Sequence, residues 1–510
     1  MILKNFITTA KKNFNRIVLE DSTGMSLTFG HTLTACILLS KQIRNFNGAN
    51  IALLFPASVG GALAFVATTF AGKVPVGLNF LAGRKEQEWV IETCEINTIF
   101  TSRTFIQKAD IPEDSRMVFI EDMKERTTKL QKMFTYLFCR FRSTRSLLQK
   151  YREYEDPEKT AIILFTSGSE SHPKGVPLTN RNIYTCIQNY KTVFDPVPEE
   201  KILGTLPFFH VFGFAVCLWM PLLIGIGVVF HPNPTDYERL GKIVQKYRVT
   251  ILIGTGTLYR GFMKKWRKDQ VSSVRLAFAG AEKLHETVRK DFYEKLGITI
   301  LEGYGVTEST SCITANTPKD FCHGSVGRPL SGIECRIVDT ETCRELPQNE
   351  EGLILIKGPN VMKGYYKSPE LTEKAFHDGF YITGDIGRLV NGFLHITDRL
   401  KRFAKIGGEM IPLSPVEDKL SEALGENGDT NDKRRCAIVN IPHPNKGEQL
   451  IAFVTSADPD KLAIKKRLDE AGVTKLSQPD HYVSIDTIPL LPAGKVDYKQ
   501  LKELAMKQFA

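Results

Sequence analysis

The ten cysteines of this 510-residue chain are scattered, without a CxxC pair or a cluster of cysteine and histidine. Structural zinc sites and disulfide frameworks both depend on close cysteine spacings. We therefore expect neither, and a reducing compartment fits this use of cysteine. Residues 1–16 contain no apolar run long enough for a secretory signal, and the chain has no internal repeat or low-complexity tract. These absences predict a cytoplasmic protein.

A long stretch without charge lies at residues 206–230, "LPFFHVFGFAVCLWMPLLIGIGVVF", which contains no Asp, Glu, Lys or Arg. Its length and hydropathy alone are those of a membrane-spanning helix. However, it contains His210, two prolines and several glycines, and no second such stretch accompanies it. We therefore predict a buried helix, a turn and a buried strand of an α/β core.

Positive charge is concentrated in one place. Residues 124–152 hold nine Lys or Arg and one acid, which supplies +8 of the net charge of +10. Residues 402–510, in contrast, hold 16 basic and 16 acidic residues. No nucleic-acid recognition motif accompanies the basic segment, so we expect no nucleic-acid partner.

Within that basic segment, residues 130–148 have the apolar spacing of one helical face. The apolar residues of this face are Leu130, Met133, Phe134, Leu137, Phe138, Phe141 and Leu148. Basic residues occupy other positions on the helical wheel, although Arg145 interrupts the apolar stripe. Two interpretations stay open: peripheral contact with the inner face of an anionic membrane, or a helix that packs its Phe face on the core.

The chain is too long for one compact core, so two or more domains are expected. Apolar runs that alternate with helical patterns, such as "NIALLF", "AIILF", "TILIG" and "LAFAGA", predict mainly parallel sheets covered by helices. Residues 352–396 alternate strands with Gly and Asn turns, which predicts a small β-layer. About a hundred residues follow as a separate small C-terminal α+β domain, so the fold class is α/β with a large N-terminal domain.

A Ser/Gly-rich turn at residues 166–175, "TSGSESHPKG", follows the apolar run "AIILF". Small residues, hydroxyls and one lysine are suited to cradle phosphate oxygens. The pattern GxxxxGK[ST] is not matched, because Gly175 follows Lys174 where Mg²⁺ would need a hydroxyl. Taken alone, the turn is equally well explained as a flexible surface loop.

Three further stretches have the chemistry of a nucleotide site. In "LEGYGVTES", Tyr304 is suited to stack on a base, Thr307 to contact phosphate and Glu308 to hold Mg²⁺. In "YITGD", Asp385 follows a glycine turn and is suited to bind ribose hydroxyls. In "IPLLPAGKVDYKQL", a turn presents Lys495. Any one of these stretches could be structural, but their order along one chain favours a single site.

Together with "AGAEKL" and "KRFAKIGGEM", these motifs resemble the adenylate-forming superfamily of acyl-CoA synthetases, luciferases and adenylation domains, over nearly the whole chain. They look most like acyl-acyl carrier protein synthetases, including the synthetase part of bifunctional enzymes that recycle lysophospholipid. No acyltransferase segment precedes the synthetase motifs, so a stand-alone synthetase is expected. One departure is Glu170, an acid inside the phosphate turn, which we expect to point away from the phosphates.

The resemblance implies a first step in which a fatty acid carboxylate attacks the α-phosphate of MgATP, with Lys495 stabilising the charge that develops. It implies that Glu308 holds Mg²⁺ and that His210 lies where the acyl carboxylate enters. A histidine in so apolar a run is otherwise more often a core residue. The residues implied to bind ATP or AMP are Thr166, Ser167, Gly168, Ser169, Lys174, Gly280, Ala281, Glu282, Tyr304, Gly305, Thr307, Asp385 and Arg399.

The resemblance also implies a second step, in which a phosphopantetheine thiol attacks the acyl carbon and AMP leaves. Residues 403–510 would rotate against residues 1–398 about a hinge at 399–402 centred on Lys401, which could otherwise be a solvated linker charge. Gly407 and Gly408 would then line the thiol tunnel, where the pantetheine chain passes close to backbone. Basic clusters at residues 433–435 and 465–467 are candidates for docking an acidic carrier protein.

The expected function is therefore ATP-dependent ligation of a long-chain fatty acid to acyl carrier protein, with Mg²⁺ as the metal. The alternative is a fatty acyl-CoA synthetase that uses free CoA. From other classes, a luciferase-like oxygenase would share the adenylation site. A non-catalytic nucleotide-binding scaffold would be expected to lack Lys495 or Glu308, and both are present.

Overall fold

The structure is a computed structural model that describes residues 1–151, 155–166, 172–406, 409–424, 435–444, 446–455, 460–490 and 496–509. The strands in chain order are β1 Ile17–Asp21, β2 Ser26–Thr28, β3 Asn50–Leu53, β4 Val74–Gly77, β5 Ile99–Thr101, β6 Met117–Phe119, β7 Thr160–Thr166, β8 Lys174–Thr179, β9 Lys201–Gly204, β10 Gly227–Phe230, β11 Ile251–Gly254, β12 Leu276–Ala279, β13 Ile300–Tyr304, β14 Thr314–Ala315, β15 Arg328–Pro329, β16 Glu334–Val338, β17 Gly352–Lys357, β18 Phe376–His377, β19 Phe380–Val390, β20 Phe393–Arg399, β21 Phe403–Ile406, β22 Glu409–Pro412, β23 Cys436–His443, β24 Gly447–Val454 and β25 His481–Ser484.

Helices connect most of these strands. They are α1 Ile2–Lys12, α2 Phe29–Ile43, α3 Val59–Phe70, α4 Arg84–Thr93, α5 Arg103–Lys108, α6 Ile120–Glu125, α7 Lys129–Phe141, α8 Thr144–Lys150, α9 Asn180–Phe194, α10 Met220–Ile224, α11 Tyr237–Tyr247, α12 Gly256–Lys265, α13 Glu286–Leu296, α14 Pro369–Lys374, α15 Leu413–Ala423, α16 Lys461–Glu470 and α17 Tyr498–Phe509. A π-helix covers Gly213–Trp219, and short 3-10 helices cover Lys268–Val271, Thr307–Ser309 and Leu400–Arg402.

The chain divides into two compact units. The first comprises residues 1–335, 356–381 and 392–394, and the second comprises 336–355, 382–391 and 395–510. The second unit thus includes two segments that precede the predicted hinge. The predicted division into 1–398, 399–402 and 403–510 stays a prediction.

Two sheets form the frame of the first unit. Among the described residues, one has the order β15-β14-β13-β12-β11-β9-β10-β1-β2 and the other the order β6-β5-β3-β4-β7-β8. The central pairs are parallel, and antiparallel pairs occur at the edges, as between β7 and β8. Every residue of β10, β11 and β12 is buried, as expected for parallel strands covered on both faces. The predicted α/β class is confirmed.

The uncharged stretch at residues 206–230 is part of this core. The π-helix Gly213–Trp219 is buried throughout, and α10 and β10 follow it. Gly225 ends α10 in the left-handed region, with φ of +96°, which favours glycine at this turn. In the part of the chain that the structure describes, no helix is long and apolar enough to cross a membrane. The predicted buried helix, turn and strand are confirmed.

The C-terminal part of the second unit is a sheet with the order β22-β21-β24-β23, to which β25 adds beside β24. Successive side chains of β23 point to opposite faces because the strand period is two. Ile438 packs with Leu420 of α15 and Leu468 of α16, whereas Val439 packs with Leu501 of α17 on the other face. This arrangement confirms the α+β organisation predicted for the C-terminal part of the chain.

The basic segment differs from its prediction. Residues 130–148 form not one helix but two, since α7 ends at Phe141 and Ser143 caps the start of α8. The core side of α7 consists of Thr135 and Cys139, both buried. The interpretation in which the Phe face packs on the core is wrong, because Phe134 and Phe141 are 63% and 80% exposed.

Candidate active site

The predicted phosphate turn leaves and re-enters the sheet at one point. Thr166 ends β7 and is the direct cross-strand partner of Lys174, which begins β8. Ser167, Gly168, Ser169 and Glu170 lie outside the described residues. Both ends of the turn are therefore held together by the antiparallel pairing.

An aromatic side chain from another helix lies against the end of this turn. The ring of Trp89, on α4, stacks on the ring of His172 with the centroids 4.0 Å apart and the planes 14° apart. The indole Nε1 of Trp89 also donates to the carbonyl oxygen of Pro173 at 3.3 Å. Sequence reasoning missed Trp89, because nothing in the pattern of α4 indicates a contact with a turn more than eighty residues later.

The second motif begins at the end of β13 and turns sharply. A Cβ added to Gly305 would lie 1.9 Å from the carbonyl oxygen of Ser311, so only glycine fits this approach of two backbones. Thr307 then begins a 3-10 turn, and Thr310 and Ser311 have φ of +54° and +87°. Strained backbone of this kind is common where a fold presents functional groups.

This turn places the Glu308 carboxylate in a buried, hydrogen-bonded position. Glu308 is 8% exposed, and its Oε1 accepts a hydrogen bond of 2.8 Å from the Tyr365 hydroxyl. The Tyr365 hydroxyl also lies 3.2 Å from that of Tyr381. Burial, followed by the neighbouring Glu308 carboxylate, raises the pKa of Tyr381 well above its usual range. The Tyr381 phenol therefore stays neutral beside the carboxylate.

Tyr365 also connects the two motifs. The Lys174 Nζ lies 5.5 Å from the centre of the Tyr365 ring, within the range of a cation–π contact. The structure thus brings Lys174 of the predicted phosphate turn to the Tyr365 ring and Glu308 of the second motif to the Tyr365 hydroxyl. The sequence "GYYKSP" around Tyr365 gave no indication of this role beyond a pair of adjacent aromatics.

The predicted adenine slot lies at the ends of two neighbouring parallel strands. Gly280 directly follows β12, and β12 pairs with β13, whose last residue is Tyr304. Ala281 adopts the left-handed region with φ of +68°, and the Glu282 carboxylate accepts a hydrogen bond from the backbone N–H of Thr257 at the start of α12. A carboxylate at a helix N-terminus is favourable, so Glu282 fixes the turn through its side chain.

The ring of Phe212, two residues after His210, borders this slot. A Cβ on Gly280 would lie 3.3 Å from that ring. The His210 side chain is exposed, although the residues around it are buried. The interpretation of His210 as a core residue is therefore wrong.

One carboxyl group beside the slot has an unusual pKa. Glu302 is the cross-strand partner of Ala279, just before Gly280. Burial raises the pKa of Glu302 to about 7, which Arg289 opposes through its positive charge. The sequence did not single out Glu302, since its burial depends on how α13 covers the end of β13.

In the second unit, the two predicted ribose ligands are paired. The Arg399 Nε lies 3.2 Å from the Asp385 Oδ1, and the Asp385 side chain is 5% exposed against 70% for Arg399. The backbone N–H of Asp385 donates to the Thr383 Oγ1 at 3.1 Å. A buried carboxylate with an exposed guanidinium beside it is suited to bind hydroxyl groups.

The predicted hinge is held on both sides. The Asp398 carboxylate accepts hydrogen bonds from the N–H and the hydroxyl of Ser414, and Arg402 pairs with Glu417 at 2.9 Å and stacks over the Tyr498 ring. Lys401 lies between these two anchors, exposed on a 3-10 turn. Gly407, Gly408 and Lys495 lie outside the described residues.

Comparison with known proteins gives one family and several relatives. The family profile described as AMP-binding enzyme matches residues 6–366. A long-chain-fatty-acid–CoA ligase of Bacillus subtilis (strain 168) is 27% identical over 543 residues, covering 98% of this chain and 94% of that protein. A 4-coumarate–CoA ligase-like 9 of Arabidopsis thaliana is 29% identical over 517 residues, covering 98% and 89%.

Solved structures share the fold. ATP-bound MatB from Rhodopseudomonas palustris superposes with a TM-score of 0.82 at 23% identity, covering 99% of this chain and 100% of that chain. The o-succinylbenzoate coenzyme A synthetase of Bacillus subtilis, solved in complex with ATP and magnesium ion, has a TM-score of 0.81 at 22% identity, covering 98% and 99%. At these identities the likeness extends to the fold alone.

Proposed function

The chain belongs to the family of AMP-binding enzymes, and we propose that it activates a long-chain fatty acid as acyl-AMP and transfers the acyl group to the phosphopantetheine thiol of acyl carrier protein. The chain is an enzyme of the AMP-forming acid–thiol ligase type. The observation that carries the proposal is the contact of one tyrosine, Tyr365, with both Lys174 and Glu308.

The enzyme uses ATP with Mg²⁺, and its residues fit both. In nucleotide sites Mg²⁺ is commonly bound by one or two carboxylates together with phosphate oxygens, rather than by a cage of protein ligands. Glu308 would be such a carboxylate, since it is buried and its Oε1 accepts a hydrogen bond from the Tyr365 hydroxyl. In the described ranges no group of three or more His, Cys, Asp or Glu suits a metal, which agrees with a metal shared with phosphates. Bound there, Mg²⁺ would neutralise phosphate charge.

We propose that Thr166, residues 167–169 and Lys174 bind the β- and γ-phosphates, with Thr307 beside them. The pairing of Thr166 with Lys174 supports this, because it holds both ends of the turn at one place. Gly280–Glu282 with Tyr304 and Gly305 would form the adenine slot, and Asp385 with Arg399 would bind the ribose. The cation of Lys174 and the backbone donors of the turn would hold phosphate in position.

For the chemistry itself, the proposed residues are Lys495 and His210. Negative charge builds up at the α-phosphate as the carboxylate attacks, and an ammonium that touches both groups lowers the barrier. Lys495 has that role in the proposal, and rotation of residues 403–510 about the proposed hinge would allow the thiol to replace it in the second step. The exposure of His210, two residues before a ring that borders the slot, supports a role at the entry of the acyl carboxylate.

The acceptor has two candidates. Relatives such as the Bacillus subtilis ligase are named CoA ligases, which favours free CoA as the alternative acceptor. Acyl carrier protein is favoured by the resemblance of the motifs and by the basic surface of α16, where Lys461, Lys465 and Lys466 are exposed. Arg467 of the same cluster donates a hydrogen bond of 2.6 Å to the Ala423 carbonyl oxygen, so its side chain already has a partner within the protein. Lys433 and Arg434 of the other cluster lie outside the described residues.

We further propose that the enzyme is cytoplasmic and contacts the inner face of a membrane peripherally. Long-chain fatty acids partition into bilayers, so an enzyme at that surface meets its substrate at a high local concentration. The charge of +8 on residues 124–152 supports contact with an anionic surface.

The proposal is tested by measuring AMP release with a panel of fatty acids, with acyl carrier protein and CoA offered separately. We expect release that depends on both a long-chain fatty acid and a thiol acceptor, and that is faster with the carrier protein. Equal rates with CoA at modest concentration would establish the alternative acceptor. Release without any acid substrate would contradict the ligase assignment.

A further inference from the structure

Helix α7 turns a row of large apolar side chains toward solvent. These residues, with their exposed fractions, are Leu130 63%, Met133 49%, Phe134 63%, Leu137 40%, Phe138 37% and Phe141 80%. Isolated exposed apolar residues are normal on a protein surface, whereas a contiguous row of this size marks an interaction site. We call these six side chains the α7 stripe.

The stripe is not the result of a loosely held helix. On the core side, Thr135 and Cys139 are buried, and the Tyr136 ring stacks on His31 at 5.0 Å and meets Phe14 edge-on at 5.3 Å. The Lys11 Nζ donates to the carbonyl oxygens of Cys139 and Arg140 at 2.7 and 2.8 Å. A capping box at Thr128 holds the first turn. The helix is thus fixed by one face and presents the other.

Exposed basic residues surround the stripe. They are Lys129, Lys132, Arg140, Arg142 and Arg145. They belong to the segment of residues 124–152, whose net charge is +8. If a second copy of the chain docked here through the same surface, two segments with a net charge of +8 each would face one another, and like charges at an interface repel. The occupant must instead accept apolar side chains in the middle and supply negative charge at the edges.

We propose that the α7 stripe docks on an anionic lipid surface, with its Phe and Leu side chains among the acyl chains and its basic residues at the headgroups. A helix of this type lies in the plane of the interface, about 5–10 Å deep. The stripe is one face of a single helix, and it carries Phe134, Phe138 and Phe141 toward its C-terminal end. Such a convex apolar face suits the fluid interior of a bilayer. The docking does not depend on which thiol accepts the acyl group.

The test is co-sedimentation of the full chain with vesicles of phosphatidylcholine containing one quarter phosphatidylglycerol, compared with pure phosphatidylcholine. We expect binding to the anionic vesicles that falls at high salt, and at least a ten-fold smaller bound fraction for Phe134→Asp with Phe141→Asp. The matched control is Tyr293→Asp, which changes another exposed helical aromatic, 58% exposed, on α13. The control is expected to bind as the unchanged protein does.

Three outcomes would overturn the proposal. The first is unchanged vesicle binding in the double variant, and the second is equal binding to both vesicle types. The third is a dimer in size-exclusion chromatography that the double variant converts to monomer, which would make the stripe an interface between copies. Should the double variant unfold, Phe141→Trp gives an independent readout, since docking predicts a blue shift of its emission on addition of anionic vesicles and no shift excludes insertion.

Discussion

The indole ring of Trp89 lies nearly parallel to the imidazole ring of His172, with 4.0 Å between their centroids. His172 is part of the turn that we propose for phosphate binding, and Trp89 is on a helix that is remote in sequence. Through this stack and its hydrogen bond to the Pro173 carbonyl, Trp89 holds the C-terminal end of the turn. Trp89 is therefore a positioning residue of the proposed ATP site.

Replacing Trp89 by alanine is expected to raise the KM for ATP. An aromatic pair contributes about 0.5–1.5 kcal/mol beyond the burial of its area, which corresponds to roughly a three- to ten-fold change. The KM for fatty acid is expected to stay the same. Trp89→Phe keeps the stack without the N–H donor and should restore most of the loss. Equal changes in both KM values would mean that Trp89 acts on the fold rather than on the turn.

Tyr365→Phe is expected to slow adenylate formation. It removes the 2.8 Å hydrogen bond to Glu308, and a hydrogen bond to a charged group contributes about 1.5–3 kcal/mol. We expect a loss of roughly ten- to hundred-fold in pyrophosphate–ATP exchange, partly recovered by raising the Mg²⁺ concentration. Tyr366→Phe is the control, because the hydroxyl of this adjacent tyrosine is hydrogen-bonded to Asn50 at 3.2 Å. Exchange by Tyr365→Phe at the unchanged rate and Mg²⁺ dependence would refute the assignment of Glu308.

Glu302→Gln is expected to flatten the pH dependence of stability. A glutamate of the unfolded chain titrates near 4.5, whereas the pKa of Glu302 in the folded chain is about 7. The folded state therefore binds the Glu302 proton more tightly than the unfolded state does. The contribution of this proton to the free energy of unfolding is fully present below pH 4.5 and is lost as the pH rises through 7. At pH 8 the variant should be more stable than the unchanged protein by on the order of 3 kcal/mol.

The measurement for Glu302 is urea unfolding at pH 5.5 and pH 8. The gain from Glu302→Gln should be clearly larger at pH 8. Glu294→Gln on the exposed side of α13 is the control, and it is expected to change stability little at either pH. A gain of the same size at both pH values would show that the carboxyl group of Glu302 does not titrate in this range.

Lys495 and Lys401 are expected to act in different half-reactions. Lys495→Ala should cripple adenylate formation yet leave thioester formation from supplied acyl-AMP nearly intact. Lys401→Pro should do the opposite, because proline fixes φ between two anchored residues, Asp398 and Arg402. Lys401→Ala serves as its control and tests the charge alone. Equal losses in both half-reactions for either variant would contradict this division.

Lys461→Glu with Lys465→Glu is expected to weaken the use of carrier protein. Edge charges act mainly on the rate of encounter, which salt screens over about 8–10 Å. We expect kcat/KM for the carrier to fall about ten-fold and to lose most of its salt dependence, while kcat, adenylate formation and the use of CoA stay unchanged. The charge-matched control is Lys129→Glu with Lys132→Glu on α7. A similar loss in that control would assign the effect to overall charge.

Much of the fold could be predicted from local sequence. The runs that form β3, β7, β11 and β12 are short, apolar and separated by helical patterns. This composition indicates parallel strands, because strands buried on both faces are almost continuously hydrophobic. The same holds for residues 206–230, whose prolines, glycines and histidine favour a buried helix, turn and strand over a membrane span. Gly305, which the resemblance implies for the nucleotide site, stands at a close approach of two backbones that only glycine fits.

Other features were decided by tertiary structure. The spacing of the α7 stripe indicates a helical face, but only the packing of Thr135 and Cys139 determines that this face points outward. Glu302 acquires its raised pKa from burial, and His210 its exposure from the surrounding chain. Tyr365 meets Lys174 and Glu308 across separations of 191 and 57 residues. Local sequence specifies which groups are available and which backbone turns are possible, whereas contacts between distant residues depend on how the sheets and helices pack.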